Sequence, residues 1–340
     1  LRPMLGLFFN ISTLIILCYG GWLVIQNSLS AGELVAFLQY LGILAWPVIA
    51  IGWMTNLFQR GMASLERLNS LLDARPEIAV SQPISLPGQI SGPIVFDRVH
   101  FSYTRGASVL NDISLQIMPN TTIGISGPPG SGKTSLVQLL PRLYDYQSGN
   151  LKINHHDIKR LDPAALRADI AFMPQEAFLF SGTIKENILM GRDLDPELLD
   201  RIIHTCCLTQ TIAKMPDGLE TLVGERGITL SGGQKQRMSL ARTLVDQRPV
   251  TILDDPVSQI DTQTAAVIME RIHAEKKDGI LIIISHRISA LAACDTIYIL
   301  NAGTLEGSGP HQELIRTNRF YADSFRVQQF EEKAYAGSGV

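Results

Sequence analysis

The sequence predicts an α-helical transmembrane segment followed by an α/β P-loop domain with an antiparallel β subdomain and a helical subdomain. Three observations predict it. No Asp, Glu, Lys or Arg occurs from Pro3 to Gly32, nor again from Leu34 to Gln59. A proline-dense stretch containing Pro76, Pro83, Pro87 and Pro93 then breaks the chain. Beyond it, Gly127-Pro128-Pro129-Gly130-Ser131-Gly132-Lys133-Thr134 fits G-x-x-x-x-G-K-[ST] at every specified position.

The charge-free region holds two apolar segments, Leu5–Ile25 and Leu34–Phe58. About 20 residues at 1.5 Å each cross a hydrocarbon core of ~30 Å, so each segment can span a bilayer. A second apolar run following at once argues against a cleaved signal peptide. Gln26-Asn27-Ser28-Leu29-Ser30 is an uncharged turn, while Arg60 and Arg67 follow the second segment. The positive-inside rule therefore puts everything after Phe58 in the cytoplasm. Pro47 should kink the second span. Arg60–Leu72 has helical spacing and should carry that span onward. A start at Leu1, close to an apolar span, reads as the C-terminal portion of a longer polypeptide. The expected division is 1–75 for two transmembrane helices, 76–93 linker, 94–328 nucleotide-binding domain and 329–340 tail.

Composition narrows the partners. Over 340 residues the net charge is −3, so no basic surface argues for nucleic acid. The four cysteines have no C-x-x-C spacing, which indicates neither a zinc site nor a disulfide framework.

The chemistry lies in four stretches. In the phosphate loop, which follows the apolar run Thr122-Ile123-Gly124-Ile125, Gly130 and Gly132 let backbone N–H groups wrap a phosphate at a helix N-terminus. Lys133 would reach the β- and γ-phosphates, and the Thr134 hydroxyl would ligate Mg²⁺. Val250-Thr251-Ile252-Leu253-Asp254-Asp255 is a buried strand ending in two acids, where Asp254 would hold the same Mg²⁺. Leu230-Ser231-Gly232-Gly233-Gln234 is a turn opening a helix, either a second anion site or a plain helix cap. Ile284-Ser285-His286-Arg287 ends another apolar strand on an imidazole.

Together these residues resemble the ABC transporter ATPase family, and their run out of two apolar spans resembles its type IV exporters. The resemblance implies ATP and Mg²⁺ as ligands. It assigns ATP contact to Tyr103, which matches the adenine-stacking aromatic, and to Gly127, Gly130, Ser131, Gly132, Lys133, Thr134 and Ser135. It assigns Mg²⁺ to Thr134, Gln175 and Asp254, and catalysis to Asp255, His286 and Gln175. Ser231, Gly232, Gly233 and Gln234 match the signature, which in this family completes the ATP site of the opposite subunit. Asp261 matches the D-loop acid, and Gly224-Glu225-Arg226-Gly227 is similar to the exporter X-loop.

Two positions depart from the family. Where an active site has Asp-Glu, this chain has Asp254-Asp255, and the second carboxylate should fall roughly 1–1.5 Å short of the attacking water. Pro129 also replaces a residue that is often polar in the family. The intact signature beside a degenerate site implies a heterodimer, similar to the multidrug-resistance-like subunits of bacterial heterodimeric exporters. The implied partners are a second exporter half-subunit, the lipid bilayer of the bacterial cytoplasmic membrane, and an amphiphilic small-molecule, lipid or peptide substrate. The alternatives are a homodimeric slow exporter or a non-transport ABC ATPase.

Overall fold

With no charge to interrupt it, the N-terminal sequence is helical almost throughout in the computed structural model, which describes residues 2–74, 78, 80, 83–84, 89–103, 106–224, 228–275 and 278–337. The chain divides into two compact units, Leu1–Glu77 and Ile78–Val340. In the first, an α-helix Arg2–Ile15 passes through a π-helical turn, Ile16–Gly20, into a short α-helix Gly21–Ile25. The second helix runs unbroken from Ala31 to Leu72, with Pro47 inside it. Its start is fixed by a capping box: Glu33 Oε2 accepts from the Ser30 N–H at 2.8 Å, and Ser30 Oγ accepts from the Glu33 N–H at 3.3 Å. The helix N-terminus thus accounts for the one acid between Pro3 and Gln59. A Cβ on Gly20 would stand 2.5 Å from Leu34 Cδ1, so the two helices meet there. Large side chains such as Phe8, Trp46 and Phe58 remain exposed along both. Both helices, Gly6–Ile25 and Ala31–Leu72, are long and apolar enough to cross a membrane. The 42 residues of the second make a rod of about 63 Å, twice the hydrocarbon core.

The second unit is built on two sheets. The antiparallel one has the order β2-β1-β4-β5, with β1 Ile94–Phe101, β2 Leu110–Ile117, β4 Ser148–Ile153 and β5 His156–Asp157. The other has six strands in the order β12-β11-β3-β10-β9-β6. Its members are β3 Thr122–Ser126, β6 Ile170–Met173, β9 Val250–Asp254, β10 Ile280–Ile284, β11 Thr296–Asn301 and β12 Thr304–Gly309. All neighbours pair in parallel except β12, the antiparallel edge. Parallel strands are covered on both faces, which is why β9 and β10 read as continuous apolar runs. Their side chains still alternate. Ile252, Ile282 and Ile284 enter one core with the antiparallel sheet, whereas Leu253, Leu281 and Ile283 enter the core shared with the helical region. A short ribbon of β7 Gly182–Thr183 and β8 Leu222–Val223 lies in that helical region.

Described residues of the expected linker belong to this second unit. Ile84 donates to Arg160 O at 2.8 Å and accepts from the Asp162 N–H at 3.1 Å, and Ile90 is buried. The last helix, Arg319–Gly337, runs across the boundary expected at residue 328.

Candidate nucleotide-binding site

A strand that stops and a helix that starts seven residues later leave a loop between them, Gly127–Gly132. Its backbone is what only glycine allows at two places. Gly127 has φ +150°, and a Cβ there would lie 2.0 Å from Leu300 O. Gly132 has φ +97°, with Val109 O 3.1 Å from where its Cβ would be. Gly127→Ala should therefore displace the loop from β11 and cost about 1–3 kcal/mol of stability as well as nucleotide affinity. Thermal unfolding and ATP titration check both, and a variant with unaltered values of each would contradict the packing described. Lys133 is buried under the loop. Its Nζ donates to Gly127 O at 2.9 Å, Pro128 O at 2.8 Å and Ser131 Oγ at 3.3 Å. Burial lowers its pKa, opposed by the charges of Asp254 and Asp255.

Opposite the loop, β9 and β10 deliver the acids and the imidazole. Asp254 ends β9, is 2% exposed, and its Oδ2 has no hydrogen-bond partner among the described residues. Burial pushes its pKa up to about 6, opposed by a hydrogen bond from Thr134. A buried carboxylate with an unused oxygen next to a Thr hydroxyl is a donor set that suits a hard divalent cation. Asp255 follows in the left-handed region, φ +54°. Its N–H donates to Ile284 O at 2.8 Å, its carbonyl accepts from Gln236 Nε2 at 2.8 Å, and Ser285 Oγ lies 3.4 Å from its Oδ1. Burial lowers the pKa of His286, Lys133 adds to that, and Asp255 opposes it.

One cavity of about 250 Å³ brings together Gly130, Gly132, Lys133, Thr134, Ser135, Gln175, Asp254, Asp255 and His286. Gly127 and Ser131 form the base of the loop outside its lining. Tyr103 stands to the side, its hydroxyl 2.7 Å from Ser135 Oγ and its ring edge-on to Tyr144 at 4.9 Å. Val109 and Ile284 also line the cavity and are ordinary core types in sequence. Asp261 lies elsewhere, capping the helix Thr262–Glu275 by accepting from the Thr264 N–H at 2.9 Å.

The turn Ser231–Gln234 is not part of this cavity. It opens the helix Gly232–Val245 with a capping box, Gln234 Oε1 accepting from the Ser231 N–H at 2.9 Å and Ser231 Oγ from the Gln234 N–H at 3.3 Å. Its glycines sit against Gln259, whose Oε1 would be 2.1 Å from a Cβ on Gly232. Sequence reading missed Gln236, which is buried and holds three groups at once. Besides Asp255 O it donates to Ser258 Oγ at 2.9 Å and accepts from the Gln259 N–H at 2.8 Å. The available signal was a polar residue on the apolar stripe of a helix. Residues 225–227 of the X-loop-like stretch lie outside the described residues.

Residues 110–258 match the family described as ABC transporter. The chain is 39% identical over its whole length to the "Probable multidrug resistance ABC transporter ATP-binding/permease protein YheI" of Bacillus subtilis, covering 58% of that protein. It is 32% identical to the "Multidrug resistance-like ATP-binding protein MdlA" of Escherichia coli, over 97% of this chain and 56% of that one. A solved bacterial Atm1-family ABC exporter with ATP bound superposes with a TM-score of 0.76 at 32% identity, over 96% of this chain and 57% of its own. The chain thus spans a little over half the length of these relatives. With the phosphate loop, the acid pair and the signature turn in one α/β domain that follows two apolar helices, the chain belongs to the ABC transporter family and carries its ATPase domain.

Proposed function

We propose that the chain is the ATP-binding portion of an ABC exporter subunit, in which ATP bound between two subunits drives an amphiphilic substrate outward across the bacterial cytoplasmic membrane. The observation that carries this reading is the split between the two phosphate-binding turns. The loop at Gly127–Thr134 shares a cavity with Asp254, Asp255 and His286, while Ser231–Gln234 is presented away from it. A second subunit facing head to tail would use the second turn and lend its own to the first. The apolar helices, the relatives named for multidrug resistance and the ATP-bound exporter neighbour support the transport role.

Within the cavity, Thr134, Gln175 and Asp254 would hold Mg²⁺, which when bound offsets the charge of the nucleotide's terminal phosphates. Lys133 supplies a fixed cation beneath them, the loop amides orient them, and Tyr103 flanks the base. His286 contacts the terminal phosphate. Asp255 is the general base, held by its backbone at both N–H and carbonyl, with a side chain too short to reach water well. This pocket therefore binds ATP and cuts it slowly, and the intact signature serves the faster pocket of a different partner subunit.

Ser231→Ala in this chain should then depress the fast hydrolytic phase about 10-fold or more, consistent with losing one aimed phosphate donor, and leave the slow phase nearly unchanged. Pre-steady-state hydrolysis by the assembled transporter reads this. Equal losses in both phases would mean two equivalent pockets, as in a homodimer, and a chain recovered without detergent would remove the membrane role.

A further inference from the structure

We propose that Gln328, on the C-terminal helix, is a positioning residue for His286. Its side-chain amide spans the segment His286–Ile288. Nε2 donates to His286 O at 2.7 Å, and Oε1 accepts from the Ile288 N–H at 2.7 Å. Ile288 opens a short helix with no side-chain cap, so its N–H is one that a helix leaves to an outside partner. The two bonds fix the backbone on both sides of Arg287 and with it the direction in which the His286 side chain leaves the chain.

The other end of this support is equally firm. Tyr321 is fully buried, its hydroxyl is 2.8 Å from His311 Nδ1, and its N–H donates to Asn318 Oδ1 at 3.0 Å. Gln328 lies seven residues, about two helical turns, further on and so on the same face. The segment His286–Ile288 is tied on its inner side as well. Arg287 N–H donates to Ser285 Oγ at 3.0 Å, and Arg287 Nη2 donates to Ser258 O at 3.3 Å. His286 is thereby carried between the catalytic strands and the last helix, at the expected end of the ATPase domain. The C-terminal helix, as far as Gln328, is then a working part of the site.

This inference rests on the reading that His286 touches the nucleotide, and the experiment separates the two. Single-turnover ATP hydrolysis is followed in the reconstituted assembly, with the phase lost in Lys133→Ala assigned to this pocket. Gln328→Ala should slow that phase about 10-fold, as sub-ångström to 1 Å misplacement does, while ATP affinity and the melting temperature stay at wild-type values. Gln328→Glu keeps the acceptor for Ile288, loses the donor to His286 and should fall between. His286→Ala combined with Gln328→Ala should be no slower than His286→Ala alone, because the second residue acts through the first. If His286→Ala slows the phase and Gln328→Ala does not, or if the two losses multiply, the positioning role is wrong and the histidine's role stands. If His286→Ala has no effect, both are wrong.

Discussion

Asp255→Glu raises ATP hydrolysis in this chain's own pocket by about 10²-fold, the scale set by moving a catalytic group about 1 Å into register. The extra methylene lengthens the side chain by one carbon–carbon bond, about 1.5 Å. The backbone frame is already in place, since Ile284 O and Gln236 Nε2 hold the peptide groups of residue 255 whatever its side chain. An opposing effect is the left-handed conformation at Asp255, which aspartate tolerates better than glutamate. Left-handed backbone costs about 1–2 kcal/mol for ordinary residues, and only part of that separates the two acids. Against it stands a barrier lowered by about 2.7 kcal/mol for a 10²-fold gain. The kinetic gain therefore exceeds the conformational loss, and the variant should melt slightly earlier while turning over faster. The slow phase of single-turnover hydrolysis is the measurement. No acceleration, with Asp255→Ala equally without effect, would remove Asp255 from the catalytic role.

Lys133→Met abolishes nucleotide retention in the same pocket while leaving the fold intact. Methionine keeps the apolar stem under the loop and removes only the ammonium. Losing one partner of a buried charged contact costs about 2–5 kcal/mol, an affinity loss of at least ~30-fold. Two effects add here, because Gly127 O and Pro128 O also lose the donor that draws the loop together. Titration with a fluorescent ATP analogue reads the loss, and circular dichroism checks the fold. Near wild-type affinity would mean that the loop does not bind phosphate.

How far these features were legible in sequence differs by kind. The apolar runs of β9 and β10 announced buried strands, and the phosphate loop announced its strand–loop–helix setting by spacing alone. Ile94-Val95-Phe96 was readable as a strand, yet β1 continues to Phe101. Asp97 and Arg98 both face outward there, Arg98 with φ +50°, and the register shifts on both ladders, so alternation fails where the bulge begins. The π turn at Ile16–Gly20 has no mark of its own in the sequence, since its residues continue the uncharged apolar run on either side. What Gln236 and Gln328 hold was illegible for another reason. Their amide groups act on backbone atoms 19 to 42 residues away, and only the tertiary fold reveals what lies opposite a glutamine.

The grip of Gln236 reaches from the helix behind the signature turn to the carbonyl of Asp255, and in the proposed dimer it would link a surface offered to one nucleotide with an acid facing another. Thermodynamic reciprocity then applies to any dimer built on this chain. If occupancy at Asp255 tightens the hold of Ser231 on the neighbouring nucleotide by some factor, that neighbour must tighten the hold at Asp255 by the same factor. In the proposed dimer, a slow pocket coupled in this way would act as a memory: while it stayed filled, its companion would work at the raised affinity turnover after turnover.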